Sequence, residues 1–216
     1  MKDIWEKAKK QYHLGVDAVM KKTGIKNEPE DPNFLNHWEK LQNIEISTMK
    51  IYKSISDLTN ASQNLCDISV ATSSAISSSF DTTDAPNFEN SQKTVSYLTD
   101  CKNYCKGNVW DEVNEKCLGP LREYMNRIME LKKLAEKRKK NKVLCESASD
   151  PQELAKRQEK YTRYNSSYLE GVEEISTQQT DLFVQVFNEY QAIMKNFIEY
   201  SKKGLDVLSD QTESDN

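Results

Sequence analysis

No stretch of this 216-residue chain approaches the roughly 18 uninterrupted apolar residues of a bilayer-spanning helix, so a transmembrane span is excluded. The first residues, MKDIWEKAKKQYH, are charged throughout and have no apolar centre of a secretory signal; the expectation is a cytoplasmic chain. Histidine is nearly absent, His13 and His37 being the only two. Cys66, Cys101, Cys105, Cys117 and Cys145 are odd in number and scattered, without the four close ligands of a zinc site, so they read as reduced thiols holding no metal. Phosphate loops, HExxH, GxSxG and a Cys-His signature are all missing, which leaves no catalytic residue, no cofactor and no small-molecule substrate to expect.

Glycine and proline are also scarce, 6 and 5 respectively, while hydrophobic content is 37% and charged content 30%. That balance is thin for a compact globule and suits long helices that bury a narrow stripe. The net charge of -4 is unevenly spread. From Lys2 to Lys26 there are 7 basic and 3 acidic residues, and from Glu130 to Arg163 there are 11 and 6. An acidic chain with two concentrated basic regions meets an anion by patch and not by overall charge. A sequence pI near 5.4 and the acids flanking the basic cluster argue against nucleic acid.

Met1 to Lys22 has the pattern of an amphipathic helix. At about 100° per residue, Ile4, Trp5, Ala8, Tyr12, Val16, Val19 and Met20 share one arc, with lysines beside it. An aromatic apolar face flanked by lysines is the make-up of a helix lying in a bilayer interface. TGIKNEPE then stops the helix, and Asp31-Pro32 starts another as N-cap and first-turn proline. A long helix is predicted to about Phe80, with Phe34, Trp38, Leu41, Ile44, Met49, Tyr52, Ile55, Leu58, Leu65 and Ile68 on its stripe. DTTDAPN breaks it. A second runs from near Phe88 to Ser147, with a bend expected at Gly119-Pro120. Asp150-Pro151-Gln152-Glu153 reads as a capping box opening a third helix that runs to about Leu208.

So short a turn returns the third helix antiparallel beside the second. The expected fold is all-α: an elongated antiparallel three-helix coiled coil with kinked long helices over 31–208. It follows an amphipathic helix and link over 1–30 and precedes an acidic disordered tail over 209–216. The turn at Asp150 is basic on both sides. Lys132, Lys133, Lys137, Arg138, Lys139, Lys140 and Lys142 precede it, and Lys156, Arg157, Lys160 and Arg163 follow. Trp38, Ile46, Phe183, Phe187 and Phe197 exceed a single stripe, and such surplus apolar surface marks a dimer interface.

Two segments then match a known family. VMKKTGIKNEPEDPNFLNHWEKLQ (Val19 to Gln42) resembles the end of the N-terminal helix and the entry to the first long helix of N-BAR domains. LGPLREYMNRIMELKKLAEKRKKNKVLCES (Leu118 to Ser147) resembles their second helix, in which a Pro-Leu kink precedes a basic segment. The chain thus resembles the BAR family, N-BAR subclass, which includes amphiphysin, endophilin and the fungal Rvs proteins. The stretch VLCESASD departs from the pattern of many relatives after the basic cluster. The resemblance implies a crescent-shaped homodimer, with a heterodimer with a second BAR protein left open. Such a dimer is peripheral at membranes and senses or generates curvature in endocytosis or actin-linked trafficking. It also implies that the eleven basic residues named above meet anionic phospholipid. No SH3 sequence follows, so recruitment of dynamin-like partners is not expected. The alternative reading is a coiled-coil scaffold that docks a small GTPase or a cytoskeletal partner; it needs no lipid and is indifferent to vesicle charge.

Overall fold

The computed structural model describes residues 30–80 and 85–213, with side chains at 30–80 and 86–202. The described residues are helical almost throughout and contain no strand. Helix α1 is Pro32–Ser77. The second long run comprises α2 (Ala85–Tyr104), a π-helical turn (Cys105–Val109), α3 (Trp110–Val113), a second π turn (Asn114–Leu118) and α4 (Gly119–Glu146). Helix α5 is Pro151–Glu213.

The starts follow from the sequence. The Asp31 carboxylate accepts the Asn33 N–H at 2.9 Å, and Asp150 accepts the Glu153 N–H at 3.1 Å, each ahead of a proline that has no N–H to leave unsatisfied. Only half of the expected capping box forms, because the Glu153 carboxylate turns to Arg157. Helix α1 stops short of Phe80 because Ser78 and Ser79 hydroxyls bond back to the Ala75 carbonyl at 2.8 and 2.9 Å. Helix α5 continues past Leu208 to Glu213, since no glycine or proline lies between them to end it.

The π turns have a sequence cause. Cys101, Cys105, Val109, Val113, Cys117 and Leu121 are all buried and recur at strict intervals of four. In an α-helix, five strides of four turn through about 2000°, so the stripe would drift by about 200° away from the core. Each π turn absorbs one extra residue. Two of them bring the five strides back to about 1800°, five whole turns, and all six side chains reach the same core. At Gly119-Pro120 the backbone stays helical, with Gly119 at φ -58° and ψ -59°. The second π turn carries the run into the proline, and the Gly119 N–H donates to the Asn114 carbonyl.

The described residues fall into two compact units. The first, here the basic unit, joins residues up to 41 with 129–174; the second, the apolar unit, joins 42–128 with 175 onward. In the basic unit α4 and α5 run antiparallel: Leu131 packs on Gly171, and Arg138 lies beside Tyr161 and Asn165. Helix α1 runs parallel to α5, with the Phe34 ring 5.1 Å from Tyr168 and Lys40 Nζ 2.7 Å from Glu173 Oε2. Phe34, Leu41, Leu131, Ala135, Tyr168 and Val172 form the core of this unit.

In the apolar unit the core is Ile55, Val109, Val113, Cys117, Leu118, Leu121, Val186 and Ile193. Thr48 and Thr59 lie on the buried stripe of α1, their hydroxyls bonded to Ile44 and Ile55 carbonyls at 2.8 Å. Met49, Leu58, Leu65 and Ile68, expected on that stripe, are exposed.

Candidate functional site

All eleven basic residues singled out from the sequence belong to the basic unit, but they do not share one fate. Lys133, Lys137, Lys140, Lys156, Lys160 and Arg163 are exposed. At about 100° per residue, Lys133, Lys137 and Lys140 fall within about 60° on α4, opposite Leu131 and Ala135. Lys156, Lys160 and Arg163 fall within a similar arc on α5. The two rows meet at Tyr164, whose ring centroid lies 5.9 Å from Lys137 Nζ and 5.4 Å from the Arg163 guanidinium. Lys132 and Lys139 lie half-buried on the flank of α4. Arg157 is half-buried and paired with Glu153 on its own helix.

Arg138 corrects the sequence reading. It is fully buried and meets no surface. Its guanidinium stacks 3.9 Å from the Phe34 ring centroid and 5.2 Å from that of Tyr161. Nε donates to Asn165 Oδ1 at 2.6 Å, Nη2 donates to the Tyr161 hydroxyl at 3.1 Å, and Nη1 lies 2.9 Å from Glu30 Oε1. Lys142 is half-buried for the same reason, its Nζ 3.3 Å from the same carboxylate oxygen. Burial pushes the Glu30 carboxyl up, but the Arg138 guanidinium beside it, the Asp31 N–H and Lys142 outweigh it, so Glu30 lies below the usual carboxylate range. The signal was legible: Leu131, Ala135 and Arg138 continue the buried spacing of four and three, so phase alone sends Arg138 inward. Glu30, Phe34, Tyr161, Tyr164 and Asn165 are the members of this site that the charge pattern did not reveal.

A second polar contact ties α1 to α5. His37 Nε2 lies 3.0 Å from Glu173 Oε1, and the Lys40 hydrogen bond to the other oxygen holds Glu173 below its ordinary range.

The surplus apolar residues are also redistributed. Trp38 sits in the basic unit, half-buried, its ring centroid 6.3 Å from that of Phe34, whereas Phe183, Phe187 and Phe197 belong to the apolar unit. Phe183 and Phe197 pack partly on the chain's own core, and Ile46 is half-buried. Phe187 is 58% exposed and continues a row with Val184 and Ile198 on α5. A comparable row, Leu58, Leu65, Ile68 and Ile76, lies exposed on α1 of the same unit.

Ile4, Trp5, Ala8, Tyr12, Val16 and Val19, the expected membrane-inserting face, lie outside the described residues. Among the described residues no helix is long and apolar enough to cross a membrane, and no three His, Cys, Asp or Glu side chains gather as a metal site.

No protein-family model and no curated protein matches the chain. Among solved structures, the chain is similar to the amphiphysin BAR domain from Drosophila, with a TM-score of 0.63 and 16% identity, covering 88% of this chain and 100% of that one. The N-terminal I-BAR domain of D. discoideum IBARa aligns with a TM-score of 0.46 and 10% identity, over 86% of this chain and 90% of that one. The first likeness shows that the chain has the BAR fold.

Proposed function

We propose that this chain is a non-enzymatic scaffold that binds anionic phospholipid membranes through the basic unit and pairs with a second copy through the apolar unit. The observation that carries the reading is the sorting of charge in the basic unit. Six cations stand outward in two rows joined at Tyr164, whereas the one cation on the inner phase is enclosed. A solvated basic end needs no such alignment; a surface that lies on headgroups does. Each lysine or arginine near an anionic leaflet adds about 1 kcal/mol of attraction, which decays within a Debye length. Half of the six cations, doubled by pairing, would support binding that depends on salt.

The exposed rows Leu58, Leu65 and Ile68 on α1 and Val184, Phe187 and Ile198 on α5 supply the apolar face for a second copy. In this reading residues 1–30 add a shallow wedge through Ile4, Trp5, Ala8, Tyr12, Val16 and Val19. The resemblance of 19–42 and 118–147 to N-BAR domains extends the proposal to sensing or generating curvature at cytoplasmic membranes in endocytosis or trafficking.

The test is the triple variant Lys133→Glu, Lys137→Glu, Lys140→Glu, on exposed sites away from the core. Its pelleting with phosphatidylserine vesicles should weaken at least about tenfold with its thermal unfolding unchanged. Equal pelleting of variant and parent would remove the rows from the interface. Binding indifferent to vesicle charge would move the chain to the class of protein-docking scaffolds.

A further inference from the structure

The membrane reading uses the outward cations and leaves the buried one without a role. Arg138 is enclosed by Phe34, Tyr161 and Asn165 on three sides, and the fourth side is covered by the side chain of Glu30, itself 24% exposed. Three donors converge on a single oxygen there. Glu30 Oε1 lies 2.9 Å from Arg138 Nη1, 3.3 Å from Lys142 Nζ and 3.2 Å from the Asp31 N–H. Arg138 Nη1 is buried and has close charge contact with that oxygen but no well-directed hydrogen bond. A guanidinium edge, an ammonium and a backbone N–H around one oxygen are the donor set of a phosphate site, for which arginine's planar fork is well matched.

We propose that Arg138, Lys142 and the Asp31 N–H form an anion site held by the chain's own Glu30, and that a phosphate oxyanion competes with Glu30 for it. Displacement frees the junction at residue 30, where the N-terminal stretch enters α1. The competition has a defined threshold. Glu30 is tethered, so it competes at an effective concentration on the order of millimolar. A dilute soluble anion loses to it. An anionic bilayer gathered by the neighbouring lysines concentrates headgroup phosphodiesters at the rim, whose oxyanions then outnumber the single tethered carboxylate. The site thus couples docking of the basic surface to release of the N-terminal junction, a role that rests on the membrane reading. The anion site itself does not.

The experiment uses the full chain and the variant Glu30→Gln, with Glu39→Gln as a charge-matched control on an exposed position of the same unit. Thermal unfolding is compared in inorganic phosphate and in chloride of equal ionic strength. Phosphate should raise the unfolding temperature of Glu30→Gln by several degrees more than that of the parent, and the extra rise should vanish in Glu30→Gln/Lys142→Ala. In the second arm, Glu30→Gln should bind phosphatidylserine vesicles about fivefold more tightly than the parent, beyond any gain in Glu39→Gln. A purely structural Glu30 would lower the unfolding temperature and gain nothing in either arm. A gain in phosphate alone, with no protein binding vesicles, supports the site, assigns it to soluble phosphate and sinks the membrane reading. A gain on vesicles alone assigns it to headgroups. Salt-sensitive vesicle binding that is equal in all three proteins, with equal phosphate shifts, overturns the site and leaves the membrane reading standing.

Discussion

Deleting Gly107 from the middle of the helical run 85–146 should be tolerated. Normally a one-residue deletion in a helix rotates everything beyond it by about 100° and shifts it by about 1.5 Å. Gly107 lies inside the π turn Cys105–Val109, and that turn already holds one residue more than an α-helix needs. Its removal closes the turn to α geometry and leaves Cys105 and Val109 in the same phase. A glycine is lost from a helix, worth about 1 kcal/mol, and nothing packs within 4 Å of a side chain at that point. The net change should stay within about 1 kcal/mol, read by urea unfolding followed at 222 nm. Deletion of Asn126, in regular α-helix, is the control. It swings either the residues before it or Ile128 and Leu131, now 1% and 7% exposed, away from their partners. Those two side chains alone are worth about 1.5–3 kcal/mol each, so the loss should exceed about 3 kcal/mol, a large part of typical total stability. Equal damage from the two deletions would refute the register explanation of the π turns.

Gly171→Ala should destabilise although it removes a helical glycine. The new Cβ would lie 2.4 Å from Cδ2 of Leu131, a side chain held in the core at 7% exposure, so an overpacking cost in the upper part of about 1–3 kcal/mol outweighs the propensity gain of about 1, and thermal unfolding should fall. Alkali should destabilise the apolar unit. Burial pushes the Cys105 thiol up to about 12 and Cys117 up to about 11, from an ordinary value of 9.0. Unfolded thiols ionise first, so stability is complete below about 9 and declines as pH rises toward the folded values. Urea midpoints on either side of that value should show the decline, smaller in Cys117→Ala; a flat profile would contradict it.

Helix starts were legible because Asp31-Pro32 and Asp150-Pro151 combine a cap with a proline, a signal confined to a few residues. The antiparallel return of α5 on α4 followed from the shortness of the turn between them. The positions of Arg138 and Trp38 were not obtained from composition, because charge and aromaticity describe a side chain and not its phase. Leu131, Ala135 and Arg138 already carried the phase, and an enclosed guanidinium needs partners from α1 and α5 that no local window contains. The strict four-residue spacing from Cys101 to Leu121 likewise announced two extra residues in the helix. It reads as π turns only once all six side chains are required to reach one core. Thr48 and Thr59 were missed for a simpler reason: their hydroxyls satisfy themselves on the helix backbone and so pack as apolar groups.

The most direct test of the membrane reading is co-sedimentation of the full chain with phosphatidylserine-containing and pure phosphatidylcholine vesicles, at low and at high salt. The expected result is pelleting with the anionic vesicles alone, lost as the Debye length contracts from about 10 Å at 0.1 M salt to about 3 Å at 1 M. Pelleting with neither vesicle, or with both equally at either salt, would contradict a membrane surface built from the two outward rows of the basic unit.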